Sequence, residues 1–60
     1  MDKTLILFKE IKIIGLLFRF GKLSKKDLKS KAGESYFKEA FDHLLDEKEI
    51  VVTNGFVTMK

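Results

Sequence analysis

Five lysines, Lys22, Lys25, Lys26, Lys29 and Lys31, crowd into one short stretch of this 60-residue chain. Ammonium groups at that density suit a polyanionic partner, because each can pair with a phosphate while its stem stays solvated. The residues that follow are Glu34, Ser35, Tyr36, Lys38, Glu39 and, further on, His43. They supply hydrogen-bond donors and acceptors to the next segment. The chain has no cysteine and a single histidine, so disulfides and thiolate metal sites are excluded. One histidine without carboxylate help does not build a metal centre. No phosphate-binding glycine loop, dinucleotide turn or histidine pair is present. A domain this small has little room for a substrate pocket. The expectation is a binding protein without cofactor or metal, not an enzyme.

The distribution of charge is more informative than its sum of +3. Residues 1–31 carry nine Lys/Arg against three Asp/Glu, and residues 32–60 carry three against six. One half is therefore strongly basic and the other acidic. No stretch is long and apolar enough to cross a membrane, and the start lacks the pattern of a secretion signal. The expected location is cytoplasmic. A single domain of this length is marginal alone, so oligomerisation is the stabilising device to look for.

Four elements must position these side chains. A helix is expected over about residues 4–20, capped by Asp2 or Thr4, and Gly21 ends it. Ser24 then opens a short helix over about 24–32. Ser24 caps it, Asp27 stands three residues on, and Leu23 can staple to Leu28. Leu28 and Ala32 turn inward, and Gly33 closes the helix. A third helix is expected over about 34–48. Phe37, Ala40, Phe41, Leu44 and Leu45 follow the spacing of a buried stripe, and Glu39, Asp42 and Asp46 mark the opposite face. Residues 50–59 read as a hairpin about Asn54-Gly55, a pair suited to the positive φ values of a type I′ turn. That turn sets Thr53 against Phe56, Val52 against Val57 and Ile50 against Met59. Ile50, Val52, Val57 and Met59 are then assigned to the core face.

The first helix is apolar around most of its circumference. One row, Ile6, Ile13, Leu17 and Phe20, is enough to cover the other helices. A second row, Leu7, Ile11, Ile14 and Phe18, is left over; a narrow sector holding Lys12, Arg19 and Gly15 is non-apolar, and Lys9 and Glu10 interrupt the apolar arcs. A homodimer through the second row, a membrane-surface helix, and a strand over residues 4–8 are three readings of this excess. The thin polar face favours the homodimer over the membrane.

Helix, short helix, turn, helix and hairpin in this order resemble the winged helix-turn-helix superfamily, over essentially the whole chain. The pattern is close to the minimal domains of archaeal transcriptional regulators and of small plasmid or viral regulators. The resemblance implies a mainly α fold with a C-terminal β-hairpin wing, one domain spanning residues 1–60, and binding to double-stranded DNA in transcription regulation. Such a protein would be nucleoid-associated. Carried onto this sequence, Glu34, Ser35, Tyr36, Lys38, Glu39 and His43 would face the major groove. Lys22, Ser24, Lys25, Lys26, Lys29 and Lys31 would lie near phosphates, and Asn54 with Gly55 would form the wing tip. Winged helices also serve as protein-binding modules. The alternative function is a protein partner held by the acidic third helix or the apolar first one.

Overall fold

The computed structural model describes residues 3–60. It contains three helices and a small antiparallel sheet, and it is mainly helical. The elements are α1 (Lys3–Phe20), β1 (Lys22–Ser24), α2 (Lys25–Ala32), α3 (Phe37–Asp46), β2 (Ile50–Thr53) and β3 (Phe56–Met59). Asp2, one of the two candidate caps of the first helix, lies outside the described residues. Among the described residues, no helix is long and apolar enough to cross a membrane.

The sheet has the order β1-β3-β2. The hairpin register is the one that the Asn-Gly turn demands: Thr53 faces Phe56, Val52 faces Val57 and Ile50 faces Met59. Asn54 and Gly55 have φ values of 53° and 81°, the mirror-image turn geometry that matches the strand twist. The strand β1 is additional to the elements expected from the sequence. It pairs Leu23 with Val57 and Ser24 with Phe56, so β3 is the central strand. This explains a departure from the expected core face. Val57 is flanked by strands on both sides and is fully buried, whereas Val52, on the edge strand β2, is half exposed.

The core draws on every element: Ile13 and Leu17 from α1, Leu23 from β1, Leu28 and Ala32 from α2, Phe37, Ala40, Phe41 and Leu44 from α3, and Ile50 and Val57 from the hairpin. The rings of Phe37 and Phe41 stack at 5.4 Å between centroids. Two residues of α1 depart from their expected rows. Phe20 ends the helix half exposed and does not enter the core, while Ile14 packs against the core's edge.

Local chemistry sets the ends of the helices. Ser24 accepts a hydrogen bond from the Asp27 backbone N–H at 3.1 Å and caps α2. The third helix begins at Phe37, three residues later than the expected 34. Tyr36 sits in the left-handed region with φ of 60°, so Glu34–Tyr36 form a turn closed by the Phe37 N–H on the Glu34 carbonyl. The same helix stops at Asp46, short of the expected 48. Lys48 is left-handed, and the N–H groups of Lys48 and Glu49 bond the carbonyls of Leu45 and Leu44. This is the Schellman ending, here with a lysine where glycine is usual.

Candidate nucleic-acid interface

The side chains singled out in the sequence divide among three surfaces. Lys25 and Lys29 of α2 meet Lys38, in the first turn of α3, along a shallow groove of about 260 Å³. Glu34, Phe37, Glu39 and Asp42 complete its lining. Three ammonium groups and three carboxylates therefore share one groove. Lys25 lies with its Nζ 4.8 Å from the centre of the Phe41 ring, a cation–π contact that steers its stem along α3. Lys26 projects from the outer face of α2.

Lys31 lies on the far flank of α2. Its Nζ stands 4.9 Å over the ring of Phe20, on which the Arg19 guanidinium also sits at 5.8 Å. Lys31 therefore belongs with the end of α1 and not with the α2–α3 groove. Lys22, on β1, covers Phe56 of β3 at 4.9 Å. Ser24 is committed to capping α2. Asn54 is exposed at the tip of the β2–β3 hairpin.

The turn before α3 also points elsewhere. Ser35 and Tyr36 line a cleft of about 410 Å³ with Leu5, Phe8, Lys9 and Lys12, because the left-handed Tyr36 swings the turn toward α1. His43 likewise faces α1 and not the groove. Its Nδ1 is 2.8 Å from Oε1 of Glu10 and its Nε2 is 3.3 Å from Oε1 of Glu47. The hydrogen bond and charge of Glu10, with smaller help from Glu47 and Asp46, raise the His43 pKa above its ordinary value of 6.5. Glu39 lies between the two surfaces, lining both the α2–α3 groove and the α1–α3 cleft that holds His43.

Two charged residues of α1, Lys9 and Glu10, tie that helix to α2 and α3. The Lys9 ammonium donates to the carbonyl of Ala32, which places a cation at the C-terminus of α2, where the helix dipole favours it. Glu10 is the buried charged residue of the core region, and His43 answers it. The available signal is the pair itself, adjacent opposite charges interrupting the apolar arcs of the helix.

Among protein-family models, curated proteins and solved structures, none matches this chain.

Proposed function

We propose that this domain is a winged helix that binds duplex DNA by its phosphates, through Lys22, Lys25, Lys26, Lys29 and Lys38. The observation that carries the reading is the meeting of Lys25 and Lys29 with Lys38 at the N-terminal turn of α3. A helix entering the major groove presents its first turn to the duplex, with the preceding helix beside the backbone. The sheet supports the same reading, since β1 ties the wing to the segment that carries these lysines. The carboxylates of Glu34, Glu39 and Asp42 in the groove would be repelled by phosphates. They keep α3 from deep insertion, so affinity comes from the lysines and sequence preference is weak.

With about five phosphate contacts, the logarithm of the binding constant falls with the logarithm of salt at a slope near −4.5. Replacing Lys25, Lys29 and Lys38 together by Ala should reduce that slope by about 2.7. Fluorescence anisotropy with a labelled duplex, across a salt series, reads both values. No binding at low salt, or an unchanged slope in the triple variant, overturns the proposal.

A second reading has its own observation. The exposed side of α3 and its end carry Asp42, Asp46, Glu47 and Glu49, a surface suited to a basic protein partner. The double change Asp42→Asn with Asp46→Asn separates the two readings. It tightens DNA binding if α3 approaches the duplex, and it weakens capture of a basic polypeptide such as polylysine if the acidic side is the working surface.

A further inference from the structure

The outward side of α1 is an apolar surface that the fold leaves uncovered. Leu7 is 54% exposed, Phe8 61%, Ile11 59% and Phe18 77%, and Ile14 is half buried beside them. We infer that a second copy of this chain covers it, with the two α1 helices antiparallel across a two-fold axis between Ile11 and Ile14.

The spacing fits this orientation. Leu7, Ile11, Ile14 and Phe18 are separated by four, three and four residues, which reads the same in both directions. Such a row meets an antiparallel copy of itself in register, with the two-fold axis at its midpoint. Leu7 then lies opposite the partner's Phe18, and Ile11 opposite the partner's Ile14. An isologous contact of this kind closes on itself and leaves no sticky end. Gly15 supplies the second observation. It stands on this side of the helix, and a Cβ built there meets nothing within 4 Å. Glycine weakens a helix interior relative to alanine, and nothing within the protomer requires it. In the antiparallel pair, Ile11, Ile14, Gly15 and Phe18 surround one hole, and the partner's Ile11 is the knob that enters it. At the exposures above, the two copies together would hide about 1,000 Å² of surface, close to the lower limit for a specific interface.

The rim of this surface sets how the dimer responds to salt. Lys3, Lys12 and Arg19 are exposed along α1, while the helix's described carboxylate, Glu10, is turned inward to His43. Pairing brings Lys12 beside the partner's Lys12 near the axis. Like charges there are screened by salt, so association strengthens as salt rises. An anionic bilayer on the same surface would show the opposite response.

Sedimentation equilibrium of the full chain at tens of micromolar should show a dimer. Its dissociation constant should fall severalfold between about 50 and about 500 mM salt. Gly15→Gln fills the hole without touching the protomer's core, and should give a monomer with unchanged helical circular dichroism. The chain has no cysteine, so introduced ones report register without interference. A mixture of Leu7→Cys and Phe18→Cys proteins should cross-link under mild oxidation. Leu7→Cys alone should not, because its two copies would lie about 16 Å apart along the helices. A wild-type monomer throughout the salt range overturns the inference, as does cross-linking by Leu7→Cys alone. So does a wild-type chain that stays monomeric and binds vesicles of anionic phospholipid in a salt-sensitive way, which would give the surface to a membrane.

Discussion

Helices α1 and α3 use apolar residues in opposite ways. The ten residues of α3 bury Phe37, Ala40, Phe41 and Leu44, and its exposed positions are all polar. The eighteen residues of α1 bury only Glu10, Ile13 and Leu17, and leave Leu5, Leu7, Phe8, Ile11, Phe18 and Phe20 substantially exposed. A helix with one sharp stripe has one favourable rotation about its axis. A helix apolar nearly all round has several of similar burial. In α1 the choice among them falls to the two charged residues that turn toward the protein, because a charge withdrawn from water is tolerated only where it finds a partner. Lys9 finds the end of α2 and Glu10 finds His43 on α3. The apolar residues of α3 therefore orient that helix, whereas the charges of α1 orient it.

The contrast breaks most visibly at two phenylalanines. Phe37→Ala opens a hole among fully buried neighbours and should cost about 3–5 kcal/mol, comparable with the whole stability of so small a domain. Phe18→Ala, on the outward side of α1, should change protomer stability by less than about 0.5 kcal/mol. Urea unfolding at submicromolar protein, where association does not contribute, reads both. Equal losses would show that α1 buries its outward side within the protomer.

The same contrast explains what the sequence made legible. The stripe of α3, the Ser24 cap and the Asn54-Gly55 hairpin with its register were readable because each depends on residues a few positions apart. Strand β1 was not, because Lys22-Leu23-Ser24 is too short for an alternation and exists only by pairing with β3, more than thirty residues away. The start of α3 was misplaced because Glu34-Ser35-Tyr36 carries no helix breaker. Tyr36 nevertheless adopts the left-handed conformation and turns the chain there. That one turn carries Ser35 and Tyr36 to the α1 side, and so removes them from the groove where Lys38 sits. The lysines of α2 were legible as a cluster but not as two flanks. Lys31 separates from Lys25 and Lys29 only once packing brings Phe20, at the end of α1, beside its flank of α2.

A sharper test of the orienting role uses Lys9. Lys9→Met keeps most of the apolar stem but removes the donor to the Ala32 carbonyl and the cation at the end of α2. A hydrogen bond from a charged donor, together with the favourable dipole, predicts a loss of about 1–2 kcal/mol. The same change at Lys12, on the exposed side of α1, should be nearly neutral in the protomer. Thermal melts of the two variants at equal low concentration compare them directly. Equal melting temperatures would remove Lys9 from the set of orienting residues.

The smallest effect is the most specific, because it depends on pH. Glu10 holds the His43 pKa above its ordinary value in the folded protein. The folded state therefore binds the proton more tightly than the unfolded chain does, and the charged pair stabilises the fold. This contribution is fully present below the unfolded histidine value of about 6.5. It is lost as pH rises through the higher folded value. Glu10→Gln is nearly isosteric and keeps a hydrogen-bonding group beside the imidazole while removing the charge. Histidine proton resonances followed by NMR should give a His43 midpoint above 6.5 in the wild type, shifted downward in Glu10→Gln. Melting temperatures between about pH 5.5 and 8.5 should show the wild type's advantage over the variant shrinking as pH rises. An advantage that stays level across that range would mean that α1 and α3 are joined at this point by a neutral hydrogen bond. The orientation of α1 would then rest on the Lys9 contact and on packing.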